Sequence, residues 1–358
     1  MKIGGSRRGA RSALAVVVAA LALASAACRP VPTDATLRSL ATQRDGRFIG
    51  TSVDPTQFGR PADSDLIARQ FSSVTPENSM KWEVVHPGAS TWDFTAADAI
   101  VAYAEAHGQR VRGHALVWHR QNPAWLTGGS YTRDELIAIL RNHIETLVGR
   151  YRGRIAQWDV VNEAIADDGT LRDNLWLRGI GPDYIRLAFE YAHAADPDAA
   201  LFINDYLTEL GGPKADTLLW IVQSLRNAGV PIDGVGYQMH ELGPGMMPNP
   251  DVLAERMRRF ADRGLQVEIT EMDVALRLPS DPAVDPQRQA DAYGSAVMAC
   301  LAIPRCTGIT TWNYADSESW IPGEFPGWGE ASLYDGTLAP KPAVERVRNL
   351  LWWNLHAR

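Results

Sequence analysis

"IAQWDVVN", residues 155–162, with Glu163 directly after it, is the stretch on which the fold turns. Its apolar and β-branched residues read as a buried strand, and an amide and a carboxylic acid then stand side by side where the strand should stop. Just upstream, "TRDELIAILRNHIETLVGRY" (132–151) has helical spacing, with Thr132 placed to cap it and Glu135 three residues on, as in a capping box. Downstream, "DYIRLAFEYAHAAD" (183–196) predicts a second helix ahead of another strand, "ALFIND" (200–205). Helix, strand, helix, strand is the repeating unit of a parallel α/β sheet.

The same alternation extends in both directions. Further strand segments are "FIGTSV" (48–53), "FSSVT" (71–75), "RVRGHALVW" (110–118), "GVGYQMH" (234–240), "QVEITEMD" (266–273) and "GITTWNY" (308–314). Further helices are "PKADTLLWIVQSLRNAG" closed by Gly229, "DVLAERMRRFADRG" closed by Gly264, and "PQRQADAYGSAVMACLA". Eight strands separated by helices predict a single (β/α)8 TIM barrel of the α/β class, occupying residues 29–358 as one catalytic domain. No internal linker or repeat interrupts it.

The chain has 358 residues, 46% hydrophobic and 22% charged, with a formal net charge of -7 and no long run of one sign, which speaks against nucleic acid as a partner. Residues 1–28, "MKIGGSRRGARSALAVVVAALALASAAC", read as an export leader with a cationic start and an apolar run too short for a confident membrane span. A twin-arginine signal lacks its apolar residue, with Ala10 a poor substitute. The expectation is a secreted, extracellular monomer; a lipid anchor at Cys28, holding the protein on the outer face of the cell membrane, is the alternative. In that oxidising setting Cys300 and Cys306, six residues apart from a helix end into a loop, are predicted to form a local disulfide.

A barrel of this kind places its chemistry at the C-terminal ends of the strands. Polar residues interrupt the apolar runs at those ends: Glu77, Asn78 and Lys81; His114, Trp118, His119 and Gln121; Asn162 and Glu163; Asn204 and Asp205; Gln238 and His240; Glu271 and Asp273; Trp312. Taken alone, a glutamate at a strand end is a solvated loop residue, His240 a structural histidine, and Trp82, Trp118, Trp312 and Trp320 core or lid packing. Lys81 and Glu83 alone suggest a surface ion pair of little worth. Their joint placement at one mouth favours a site. Two carboxyl groups, one attacking an anomeric carbon and one protonating the leaving oxygen, suit retaining glycoside hydrolysis. Glu271 and Asp273 share a strand face, and His240 can bond both and keep Glu271 ionised, which makes Glu271 the nucleophile. Glu163, in an apolar stretch with Trp158 and Ala164, is then the acid and base.

Six ordered motifs, "TPENSMKW", "GHALVWH", "WDVVNEA", "GYQMH", "ITEMDV" and "GITTWNYADSESW", resemble glycoside hydrolase family 10, the endo-β-1,4-xylanases, over nearly the whole mature chain. The resemblance implies xylan and xylo-oligosaccharides as substrates, no cofactor and no metal, and the same roles for Glu163 and Glu271. It implies that Glu77, Asn78 and Lys81 hold xylose hydroxyls on the non-reducing side of the cut. His114, Trp118, Gln121, Asn162, Gln238, His240, Trp312 and Trp320 would line the cleavage subsite and its neighbours, with Asn162 on the 2-hydroxyl of the sugar under attack. Four positions depart from the family pattern: Asn313 for Gly, Leu207 for Asn, Glu241 for Leu, and Arg120 for a small polar residue. They are expected at the rim of the cleft, where they bear on fine specificity.

Rival readings are a related retaining glucanase, a catalytically idle carbohydrate-binding barrel, and a metal hydrolase. The second has no need of a paired acid and nucleophile. The third would want histidines alternating on a strand, whereas His114 and His119, five apart, would point to opposite faces.

Overall fold

Parallel strands β1 (Phe48–Val53), β2 (Ser73–Pro76), β3 (Arg110–Gly113), β4 (Gln157–Asn162), β5 (Ala200–Asp205), β6 (Gly234–Tyr237), β7 (Gln266–Val274) and β8 (Cys306–Thr311) pair in chain order. The ring closes because β8 pairs with both β7 and β1, as in the register Ile309↔Ile269 and Ile49↔Ile309. Closure leaves no open edge and puts every barrel strand between the interior and a covering helix layer, which is why the strand sequences are nearly continuous in their apolar character. The expected (β/α)8 barrel is therefore present. The computed structural model describes Met1 and residues 30–356, so the leader and Cys28 lie outside the described residues. Among the described residues no helix is long and apolar enough to cross a membrane.

Local signals act as the sequence suggests. The helix Arg133–Arg150 begins at Thr132, whose hydroxyl accepts from the Glu135 amide while the Glu135 carboxylate accepts from the Thr132 amide at 2.7 Å. Gly229 and Gly264, just past two helix ends, have φ of 72° and 88°, values that L side chains rarely adopt. Gly113 is required for space, since a Cβ there would lie 2.1 Å from Cε3 of the buried Trp158. Cys300 and Cys306 are joined as a disulfide at the end of the helix Asp285–Leu301.

Two strands are shorter than their apolar runs. β3 stops at Gly113 instead of running to Trp118; beyond it His114 turns its ring to Asp159, and the chain meets the β4 backbone again at Leu116, whose amide donates to the Asp159 carbonyl, and at the isolated bridge Val117↔Val161. β6 stops at Tyr237, Met239 has a φ of 60°, and His240–Glu241 then forms a separate short pairing with β7. In both places site residues are drawn off the ladder by side-chain partners. A further short antiparallel pair, Leu276–Arg277 with Trp328–Gly329, was not expected from the sequence.

The barrel interior is not wholly apolar. Arg112 on β3, 1% exposed, donates from Nε and Nη2 to Asp159 on β4 and from Nη1 to Glu268 on β7 at 2.6 Å. Removing one partner of such a buried set leaves an uncompensated charge, a loss of ~3–5 kcal/mol. This cross-braced floor lies directly beneath the strand ends that carry Glu163 and Glu271.

Candidate active site

Glu163 follows the last residue of β4 with a φ of 55°, so the chain leaves the strand at that residue. Its amide donates to the Asn204 carbonyl at 2.8 Å and its carbonyl accepts from Arg172 Nε at 2.9 Å, which fixes the backbone from two sides. The carboxylate is 13% exposed and opens into the cleft, with Oε1 accepting from Gln238 Nε2 and Asn162 Nδ2, both at 3.3 Å. Non-glycine residues with positive φ are sparsely populated and concentrate at functional sites.

Glu271 is 4% exposed on β7. Its Oε1 accepts from Asn204 Nδ2 at 2.6 Å and its Oε2 faces His240 Nε2 at 3.1 Å. His240 Nδ1 faces Asp273 Oδ2 at 3.0 Å, so both ring nitrogens meet carboxylates. Burial works to lower the imidazole pKa, but Asp273 and then Glu271 outweigh it and raise it to about 10. Burial works in turn to raise Glu271, yet the His114 and His240 rings prevail and hold it below the ordinary glutamate value. Trp320 donates from Nε1 to the same Asp273 Oδ2 at 2.8 Å, which positions its ring beside His240.

Asn204 joins the two carboxylate neighbourhoods. Its amide nitrogen donates both to Glu271 and, at 2.8 Å, to Asn162 Oδ1, which also accepts from Gln238 Nε2 at 3.1 Å. With its oxygen satisfied twice, Asn162 directs its NH2 toward Glu163 and the cleft. Asn204 was visible as a strand end, but only its geometry marks it as the link.

On the other wall Lys81, 7% exposed, donates to Asn78 Oδ1 at 3.0 Å and lies 4.6 Å above the Trp118 ring; it is not the surface partner of Glu83. Glu83 instead accepts from Gln121 Nε2 at 2.9 Å. Burial lowers the Lys81 ammonium, opposed by Glu271, Glu77 and Glu163. Glu77 accepts from Asn313 Nδ2 at 2.8 Å, and burial raises it. Trp312 closes the back of the cleft edge-on to His114 at 5.2 Å. Trp82 does not reach the cleft: it is stacked on His143 at 3.5 Å in the core.

One cleft thus brings together Glu77, Asn78, Lys81, His114, Trp118, Gln121, Asn162, Glu163, Gln238, His240, Glu271, Trp312 and Trp320. Asp273 lies behind it, fully buried. The sequence missed Arg112, Asp159 and Arg172, charged residues hidden inside apolar strands or a loop, and Tyr206, whose hydroxyl accepts from Arg172 at 2.7 Å beside Glu163. Two expectations need correction. Asn313 and Glu241 are fully buried rather than at the rim; only Leu207 and Arg120 line the cleft. Asn313 has a φ of 66°, a conformation natural to glycine that Asn tolerates, and so fills the glycine position while reaching Glu77. His114 and His119 do not point to opposite faces: both line the cleft, because β3 ends before either.

His114, Asp159 and Glu271 gather ligand atoms within 4.8 Å of one another. Both Asp159 oxygens accept from Arg112, and Oδ2 also faces His114 Nδ1 at 3.0 Å. A fixed guanidinium already supplies the positive charge there, so the group reads as a brace for Glu271.

The family model described as glycosyl hydrolase family 10 matches residues 37–350. Endo-1,4-beta-xylanase B of Thermotoga neapolitana is 40% identical over 294 residues, 82% of this chain and 84% of that protein. Endo-1,4-beta-xylanase C of Phanerodontia chrysosporium is 38% identical over 322 residues, 88% of this chain and 79% of that one. Among solved structures, native xylanase 10B from Thermotoga maritima superposes with a TM-score of 0.88 at 38% identity, covering 90% of this chain and 100% of that one. Xylanase 10B from Thermotoga petrophila RKU-1, solved in complex with xylobiose, gives 0.87 at 37% identity, covering 90% and 98%.

Proposed function

The chain belongs to glycosyl hydrolase family 10, and from that premise we propose that it is an endo-1,4-β-xylanase cutting internal bonds of xylan and xylo-oligosaccharides by a retaining double displacement. The observation that carries this reading is a Glu271 held on the ionised side by His114 and His240 in the same cleft as Glu163.

In the first step the Glu271 carboxylate attacks the anomeric carbon while Glu163 gives its proton to the glycosidic oxygen, so the C–O bond breaks and the reducing-end fragment departs as an alcohol. Glu271 is then an ester and Glu163 an anion. In the second step Glu163 takes a proton from water, the water oxygen attacks the same carbon from the other face, and Glu271 leaves as a carboxylate. The proton returns to Glu163 and the anomeric configuration is retained. Asn162, its NH2 aimed into the cleft, donates to the sugar 2-hydroxyl and so orients that hydroxyl, whose own donation strengthens as positive charge builds on the ring. Glu77, Asn78 and Lys81 bind hydroxyls of the non-reducing part, and the faces of Trp118, Trp312 and Trp320 meet sugar rings. The xylobiose complex of the Thermotoga petrophila relative supports this substrate class.

We propose further that residues 1–28 direct export, leaving residues 29–358 as a secreted, monomeric catalytic domain, with lipidation of Cys28 as the alternative. N-terminal sequencing of the mature protein separates the two, since a lipidated cysteine blocks it. The activity is tested by comparing kcat/KM on aryl β-xylobioside and aryl β-cellobioside. A preference for the xyloside is expected; a preference for the cellobioside would make the protein a glucanase.

A further inference from the structure

Arg120 and Glu324 meet across the cleft. Arg120 lies in the loop after β3, two residues beyond Trp118, and Glu324 ends the short helix Ile321–Glu324 after β8, four residues beyond Trp320. Arg120 Nη2 stands 3.7 Å from Glu324 Oε1. The guanidinium also lies 5.9 Å over the Trp118 ring, and Phe325 next to Glu324 packs edge-on to Trp320 at 5.7 Å. The arginine end of the pair therefore rests on an aromatic ring of the site, the glutamate end is flanked by a residue packed on another, and both side chains line the cleft.

The strand order fixes what the pair spans. Between β8 and β3 in the ring lie β1 and β2, and the end of β2 carries Glu77, Asn78 and Lys81. A link from the β3 loop to the β8 loop crosses above that arc, where the non-reducing part of the substrate rests under the proposed reading. With side chains 54% and 50% exposed, the pair is weak enough to open, contributing at most about fivefold in an equilibrium. A bare xylose unit carries no substituent beyond its ring hydroxyls to meet such a span. A sugar carrying a branch must displace the pair.

We propose that Arg120 and Glu324 form a strap over the cleft that selects unbranched stretches of xylan on the non-reducing side of the cut. The inference rests on the xylanase reading above.

The test measures kcat/KM on linear xylohexaose and on a xylo-oligosaccharide bearing one neutral arabinosyl branch at a non-reducing-side unit. Wild type is compared with Arg120→Ala, Glu324→Ala and the double exchange Arg120→Glu with Glu324→Arg. Each single variant is expected to raise the branched-to-linear ratio about three- to fivefold, the double exchange to bring it back toward the wild-type value, and about 0.5 M salt to raise it in the wild type and the double exchange but not in the single variants. An unchanged ratio in the single variants overturns the strap. So does a rise in Arg120→Ala without one in Glu324→Ala, which would mean that arginine bulk acts by itself. A wild type unable to cut linear xylohexaose would instead sink the xylanase reading, whatever the ratios.

Discussion

The Nε2 of His240 lies 3.1 Å from Oε2 of Glu271, with Asp273 at 3.0 Å on the far side of the ring. The imidazole is raised to about 10, so it is a cation through the neutral range, and its charge favours the ionised form of Glu271. The His240 contribution to stability is full below the ordinary histidine pKa near 6.5 and is lost as pH rises through about 10. Glu271, lowered, contributes above its ordinary value near 4.5 and loses that contribution as pH falls through its depressed value. Replacing His240 with Asn should lower kcat at least about tenfold and move the acid limb of the kcat/KM profile to higher pH. A limb that stays in place would show that His240 does not set the charge of Glu271.

Glu163 acts on the leaving group, so its loss should depend on what leaves. Glu163→Ala is expected to cost about 10²- to 10⁴-fold on xylo-oligosaccharides and far less on an aryl xylobioside with an acidic phenol. Added azide should restore the second step and yield the β-xylosyl azide. Equal losses on both substrates would remove Glu163 from the acid role.

Glu241 offers a stability test outside the reaction. It is fully buried, and neither carboxylate oxygen has a hydrogen-bond partner among the described residues. Burial, then Glu209 and Asp273, push it to about 8, against His240. A raised acid must hold its proton to stay folded, so this residue destabilises progressively as pH climbs from about 4.5 to about 8. Glu241→Leu should therefore raise stability at pH 8 by at least about 1 kcal/mol and change it little at pH 4. Thermal unfolding at both pH values checks this; an equal gain at each would refute it.

Leu207 has a φ of 57°, and a branched side chain there carries local strain. Leu207→Asn, a residue tolerant of that conformation, should stabilise by about 0.5–1 kcal/mol in urea unfolding. Because Leu207 lines the cleft, KM should shift while kcat changes less. A destabilised variant would mean that leucine packing outweighs the backbone term.

The barrel was legible because buried parallel strands must be apolar on both faces, so any polar residue in such a run is conspicuous. Asn162, Glu163, Glu271 and Asp273 announced themselves in this way. Strand length was not legible: β3 ends at Gly113 because His114 is drawn to Asp159, a partner 45 residues away whose identity no local pattern reveals. The same limit hid Arg112, Asp159 and Glu268, whose charges are tolerable only because three separate strands bring them together. Asn204 stood in plain view, yet its role depends on touching Asn162 and Glu271 at once. Asn313 and Glu241, expected at the rim, are buried; one is held by Glu77 and Ser52, and the other is buried at a cost.

The central claim is that Glu271 attacks the sugar directly while Glu163 manages the proton. Proton NMR of the first sugar ends released from xylohexaose, recorded before mutarotation, tests it most directly. The account predicts that the β-anomer appears first and the α-anomer grows in later. An initial α-anomer would mean that water attacks in a single displacement, and Glu271 would then be a base rather than a nucleophile.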